Sequence, residues 1–254
     1  MSDIQAVDAM RGAFIFSEET VIALETIDST NNEALRRLEA GTLPLPCLIT
    51  AQQQTQGRGR CPGRTWLGER GNFFATYVTK RPSHFPITHL PLLVACAIYR
   101  SVRSFVASTS ISLKWPNDVL IAGMKLAGAL IETGPRETAL IGIGVNIVSA
   151  PTLPSHTRKT THLNAWTPYP VTVEEYTTAL LSALKAVFDV WEKQGFSAIL
   201  TEWQNCSQEI GRSLSVRVGQ EQMHGIFERL DQEGRLILRF ADGRTRAVAS
   251  GEAQ

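Results

Sequence analysis

Apolar residues recur along this chain with two periods, and the alternation between them predicts its elements. Val21 to Ile27, Cys47 to Gln52 and Asn72 to Lys80 are short runs rich in β-branched and aromatic residues, which predict strands; Phe14 to Phe16 predicts a shorter one. Ala34, Leu35 and Leu38 mark the apolar face of a helix ending near Gly41, and Thr30 with Glu33 has the form of a capping box at its start. Helical spacing returns from Ile87 to Val106 through Leu90, Leu93, Val94, Ala97, Ile98, Val102 and Phe105. It returns again from Val173 to Gln194 through Tyr176, Leu180, Leu184, Val187, Phe188 and Trp191, with a shorter helix from Phe196 to Cys206.

Between these helices the pattern reverts to strands. Ile111 to Thr133 reads as a strand through Trp115, a break at Pro116-Asn117-Asp118, a strand to Ile121, a turn at Ala122-Gly123, and a return from Lys125 to Glu132. Leu140 to Val148 is an apolar strand with Gly142 and Gly144 inside it, and interior strand glycines mean a bulge or the close approach of something to the backbone. Prolines and threonines from Ser149 to Pro170 predict a long irregular connection. Leu214 to Val218, Met223 to Leu230, Arg235 to Phe240 and Thr245 to Ala249 are short alternating runs separated by Gly/Asp turns, which predict a small all-β barrel of about fifty residues. The expectation is an α+β protein: a mixed, mostly antiparallel sheet covered by helices over residues 1–206, and the barrel over 207–254.

Composition narrows the function. With 254 residues, 43% hydrophobic and 19% charged, the chain is long enough for one substantial core. A formal net charge of +1 gives no global field toward polyanions, so nucleic-acid binding would need a local patch. Cys47, Cys61, Cys96 and Cys206 form no C-x-x-C pair, which argues against structural zinc and a disulfide framework and for a reducing compartment. The five histidines show no metal-ligand spacing. Without a signal-like N-terminus or a run of membrane-spanning length, the expected location is the cytoplasm.

Candidate chemistry gathers in Gln54 to Trp66, Q-T-Q-G-R-G-R-C-P-G-R-T-W. Gly57, Gly59 and Gly63 bare their amides, and Arg58, Arg60 and Arg64 set guanidinium forks among them. Such a loop suits phosphate or carboxylate oxygens, and equally a nonspecific contact with RNA. Ser29-Thr30-Asn31 sits where a strand hands over to a helix, as plain capping residues or as small polar groups beside free amides. Lys114 lies in an apolar strand and Lys125 opens another, either held near the core boundary or snorkelling outward. Asp118 beside Asn117 is open to the bland reading of turn chemistry.

Taken in order, Ser29-Thr30-Asn31, G-R-G-R, K-W-P-N-D at Lys114 to Asp118, K-L-A-G at Lys125 to Gly128 and G-I-G-V-N at Gly142 to Asn146 make the chain resemble the biotin protein ligases over nearly its whole length. The resemblance implies a class II synthetase-like catalytic domain with an SH3-like C-terminal barrel. It implies joining of biotin to ATP, with Mg²⁺ on the triphosphate, and transfer of the biotinyl group to a lysine of a biotin carboxyl carrier domain. By resemblance Ser29, Thr30, Gln54, Gly57, Arg58 and Gly128 bind biotin, and Lys114, Asn117, Asn146 and Trp66 meet the nucleotide together with Arg58, Arg60 and Lys125. Lys125, Arg60 and Asp118 are the expected catalytic residues, Asp118 as the base for the acceptor lysine. No protein-held metal is expected.

Two departures stand out. C-P-G-R-T before Trp66 is one residue longer than the family form, Pro62 being the extra one, and only about thirty residues precede Ser29. No DNA-binding domain is therefore expected; monomer and homodimer both remain open. The competing readings are a lipoate or octanoate ligase of the same fold, disfavoured for want of an R-R-x-x-G-G-G stretch, and a biotin-binding sensor without turnover.

Overall fold

The computed structural model describes residues 20–61, 63–81, 85–107, 110–152 and 159–253; the expected strand at Phe14 to Phe16 and the extra Pro62 lie outside them. Strand β1 (Val21–Ile27), helix α1 (Thr30–Glu39) and strand β2 (Cys47–Gln54) form a crossover, so β1 and β2 pair in parallel. Strands β3 (Phe73–Lys80), β4 (Ile111–Lys114), β5 (Asp118–Ile121), β6 (Met124–Gly134) and β7 (Thr138–Val145) complete a mixed sheet in the order β1-β2-β3-β7-β6-β5-β4, antiparallel from β2 onward.

Period-2 alternation assigns the two faces of that sheet. Phe73, Ala75 and Tyr77 of β3, Ala127 and Ala129 of β6, and Ala139, Ile141, Ile143 and Val145 of β7 point into the main core. There they meet α2 (Leu90–Arg103), α3 (Val173–Gln194) and α4 (Phe196–Cys206). The three helices turn the stripes read from the sequence toward the sheet, and each large side chain fully buried there contributes about 1.5–3 kcal/mol. A capping box starts α3: Glu175 N donates to Thr172 Oγ1 (3.2 Å) and Thr172 N to Glu175 Oε2 (2.8 Å).

The opposite face is covered only in part. Ala34 and Leu38 of α1 pack on Cys47, Ile49, Val78 and Leu140 in a small separate cluster. On the same face, by alternation, lie Thr76, Gly128, Glu132, Gly142 and Gly144; Asn31 at the head of α1 reaches Thr76, Glu132 and Gly142, while Gly128 and Gly144 lie beyond it.

The C-terminal region corrects one expectation. Strands β8 (Ser213–Val218), β9 (Glu221–Leu230), β10 (Leu236–Arg239), β11 (Thr245–Val248) and β12 (Glu252–Ala253) form a sheet in the order β11-β10-β9-β8-β12. Among the described residues β11 and β12 do not pair, so the sheet is open rather than a closed barrel. Closure would need a long last strand, whereas β12 is two residues long and its Ala253 carbonyl accepts from Lys114 Nζ at 2.5 Å.

A half-buried histidine ties stability to pH. The His89 ring lies flat on Phe196, centroids 3.5 Å and planes 2° apart, and burial pushes its imidazole down to about 4. The unfolded chain takes up that proton near pH 6.5, so the stabilisation is full above pH 6.5 and is lost as pH falls toward 4. His89→Phe keeps a stacked ring without the titration. Between pH 7 and 5 it should lose about 1–2 kcal/mol less stability than wild type in urea unfolding.

Candidate active site

The uncovered face of the main sheet and the edge of the second sheet enclose a cavity of about 860 Å³. Of the residues singled out in the sequence, Ser29, Thr30, Gln54, Arg58, Arg60 and Trp66 line it from one side. Lys114, Asn117, Asp118, Lys125, Gly128 and Asn146 line it from the other. Gly57 is buried beside the cavity, its carbonyl accepting from Trp66 N at 2.8 Å. Segments a hundred residues apart in sequence thus converge on one hollow.

One end is polar and uncharged. Ser29, Thr30 and Asn31 are each 3% exposed at the head of α1, and none of them caps it through its side chain. The expected capping box is not formed: Thr30 is already the first helical residue, and Glu33 instead pairs with Arg36 and Arg37. Thr30 N donates to Gln54 Oε1 (2.8 Å), and Thr30 Oγ1 lies 3.2 Å from the same oxygen. The turn before the helix is pinned through Asp28, which accepts both Arg36 NH2 (2.7 Å) and Arg36 NH1 (3.0 Å). Hydrogen bonding by Arg36 holds the Asp28 carboxyl well below the usual carboxylate range, against the opposing effect of burial.

The other end is cationic. Lys114 is 9% exposed, a buried position rather than a snorkelling one. Lys125 Nζ sits 2.8 Å from Asp118 Oδ1 and 5.3 Å from the Trp66 ring centroid. Burial pushes the Asp118 carboxyl up, but the charges of Lys125, Lys114 and Arg60 and the Lys125 hydrogen bond outweigh it and leave the carboxyl below its ordinary value. Asn117 Nδ2 donates to the Ala129 carbonyl, so that side chain braces the β4–β5 turn against β6.

The Gly/Arg loop differs from the bare amide nest that its sequence predicts. It folds back on itself, with Arg58 bridged to Thr65 and with Gly59 N donating to Arg64 O at 2.7 Å. The Gly59 amide is therefore taken by the loop, and the guanidinium groups of Arg58 and Arg60 meet Glu132 Oε2 and the Gly251 carbonyl. Of a bulge and a close approach, the strand glycines show the second, with regular register on both sides. A Cβ on Gly142 would strike the Asn31 side chain, and one on Gly144 the Trp66 indole.

The irregular connection after Ser149 also helps build the site. Thr160 pairs in parallel with Lys125, while Lys125 N donates to Lys159 O (2.8 Å) and Thr161 N to Lys125 O (2.9 Å). Asn146 Nδ2 donates to Thr161 O at 3.0 Å, which fixes the amide, and Asn146 Oδ1 is left buried with no hydrogen-bond partner among the described residues. Trp66 Nε1 is in the same condition. Both atoms belong to residues that line the cavity.

Several contributors escaped the sequence reading. Thr76 and Glu132 were visible only as polar residues in apolar strands, whose period-2 positions share the α1 face. Arg217 and Ala253 arrive from the second sheet with no local signal at all. Among the described residues there is no group of three or more His, Cys, Asp or Glu placed to hold a metal, and no helix long and apolar enough to cross a membrane.

A cavity with fixed cations at one end and an uncharged hydrogen-bonding wall at the other suits an enzyme that brings an organic acid to a phosphate. The model of the biotin/lipoate A/B protein ligase family matches residues 23–147. A biotin–[acetyl-CoA-carboxylase] ligase of Paracoccus denitrificans is 35% identical, covering 87% of this chain and 95% of that one. Its namesake in Mycobacterium tuberculosis is 30% identical over 88% and 84%. The fold is shared with the biotin protein ligase of Aquifex aeolicus solved with biotin and ATP, at a TM-score of 0.79 and 24% identity, covering 93% of this chain and 98% of that one. The chain belongs to the biotin protein ligase family.

Proposed function

We propose that the protein activates biotin with ATP and then biotinylates a lysine of a carboxyl carrier domain. In the first step a biotin carboxylate oxygen attacks the α-phosphorus, forming biotinyl-5′-AMP and releasing pyrophosphate. In the second the lysine amine, after losing a proton, attacks the acyl carbon and AMP leaves. The observation that carries this reading is the division of one cavity into a neutral polar end and a cationic end. The first suits a small ring of fixed donors and acceptors, and the second suits two anions held together.

Ser29, Thr30 and Gln54 face the ureido ring, with Gly57, Arg58 and Gly128 beside the biotin. Lys125 bridges the carboxylate and the α-phosphate, and Arg60 and Lys114 offset the remaining phosphate charge. Both of these cations now meet backbone carbonyls, Arg60 NH2 on Gly251 O and Lys114 Nζ on Ala253 O, each at 2.5 Å. Asn117 holds the turn that carries Asp118. Among the described residues the only carboxylate lining the cationic end is Asp118, already paired with Lys125, so Mg²⁺ would be carried by the triphosphate.

The orphaned Asn146 Oδ1 accepts the exocyclic amine of adenine, and Trp66 covers the base. Guanine would put a carbonyl oxygen there instead. Asn146→Ala should therefore raise the KM for ATP about tenfold or more and leave biotin binding within a factor of about two. Initial rates at varied ATP, beside biotin calorimetry, check this.

The deciding experiment is exchange of labelled pyrophosphate into ATP with biotin, lipoate or octanoate as the acid. Exchange with biotin alone supports the proposal. Exchange only with lipoate or octanoate would move the substrate to the sister acids, and tight biotin binding with no exchange would make the protein a sensor.

A further inference from the structure

Glu132, near the end of β6, accepts two hydrogen bonds at one oxygen: Asn31 Nδ2 at 2.7 Å and Arg58 NH2 at 2.8 Å. No motif in the sequence points to it. A carboxylate flanked by a guanidinium only accepts, so the Asn31 amide is locked with its nitrogen toward Glu132 and its oxygen toward Thr76. The Thr76 hydroxyl has one proton and two neighbours, Asn31 Oδ1 at 2.5 Å and Thr30 Oγ1 at 2.8 Å. Asn31 Oδ1 can only accept, and its contact is the shorter, so the proton goes there.

Thr30 must then send its own proton into the wall, toward Thr76 Oγ1 or Gln54 Oε1. Either way its remaining lone pairs are what the hydroxyl offers to a ligand. All of these groups but Gln54, Glu132 and Arg58 are buried to 3% exposure or less, so water cannot redirect the chain.

We propose that Glu132 is a positioning residue that sets the hydrogen-bond polarity of the cavity's neutral wall, making Thr30 an acceptor, while the same carboxylate tethers Arg58 of the Gly/Arg loop. The inference rests on the biotin reading above. A ureido ring presents two N–H donors, and a wall whose hydroxyl is held as an acceptor selects that ring over one presenting acceptors at the same place.

Glu132→Gln keeps the shape and removes the acceptor-only charge, so the Asn31 amide can turn over and the hydroxyl chain with it. Biotin Kd by calorimetry should rise about ten- to hundredfold, and the loss should appear in the KM for biotin rather than the KM for ATP. The second variant combines Asn31→Asp with Glu132→Gln, so that the amide and the carboxylate trade places. The new amide at position 132 then donates to a carboxylate at position 31, which still only accepts from Thr76. This exchange should recover biotin binding to within about threefold of wild type. Thermal melting of both variants keeps a folding defect separate.

Wild-type affinity in Glu132→Gln would overturn the inference. So would a double variant that folds but binds no better than the single one, since a packing role gains nothing from the exchange. Failure of the wild type to bind biotin would instead sink the reading of the cavity itself, and this inference with it.

Discussion

Lys125→Ala should lower biotin-dependent pyrophosphate exchange by about two to three orders of magnitude, the loss typical of removing one preorganised charge from a transition state. Lys125 is held on three sides: its amide and carbonyl are bonded to the 159–161 segment, its ammonium to Asp118, and its charge lies over the Trp66 ring. A cation fixed before the reaction needs no reorganisation when charge builds between carboxylate and α-phosphate. Alanine also leaves Asp118 without its nearest partner beside the arriving anions, which adds repulsion to the lost attraction. Lys125→Arg should not restore exchange, because a planar fork cannot occupy the place of a compact ammonium at a site hemmed in by Asp118 and Gly128. Exchange rates for the three proteins, with melting temperatures as a fold control, check this; exchange within about tenfold of wild type in the alanine variant would remove Lys125 from the adenylation step.

Asp118→Asn should separate the two half-reactions. Exchange should stay within about tenfold of wild type, while transfer from preformed biotinyl-AMP to a carrier lysine falls by about 10²–10⁴. Asp118 is a weak base, its carboxyl held low by the cations around it against the opposing push of burial. A phosphate competing for Lys125 would release that carboxylate at the moment when an acceptor ammonium needs a partner that takes its proton. The order of the steps would then follow from one shared ion pair. Single-turnover transfer assays across pH test it: the wild-type rate should rise with pH as the acceptor lysine loses its proton, and the variant should lie below it throughout. Equal transfer rates would leave Asp118 a structural partner of Lys125 only.

How much of this was legible in the sequence depended on the range of the signal. The runs at Val21 to Ile27 and Asn72 to Lys80 and the stripe from Tyr176 to Trp191 became β1, β3 and α3 because period and burial are decided within a few residues. Gly142 and Gly144 carried a true message of close approach, but not that Asn31 and Trp66 are what approaches. The capping box at Thr30 and Glu33 misled because Ser, Thr and Asn at a helix start can bond the helix's own amides or a distant side chain equally well. Gln54, 24 residues away, decides which. The barrel misled because turn spacing predicts strands and says nothing about which edges meet.

Sequence alone therefore determined the main strands and helices among the described residues, the order of the five motifs and the presence of cations among them, since each is written in residue type and short-range spacing. Only the tertiary structure decided that Glu132 holds Asn31 across 101 residues, that the Gly251 carbonyl reaches Arg60 across 191, and that the Gly/Arg loop consumes its own Gly59 amide. The first is fixed by strand register and by the crossover between β1 and β2, which bring distant segments to one face of one sheet, and the second by the approach of the segment before β12 of the other sheet; no local pattern encodes either.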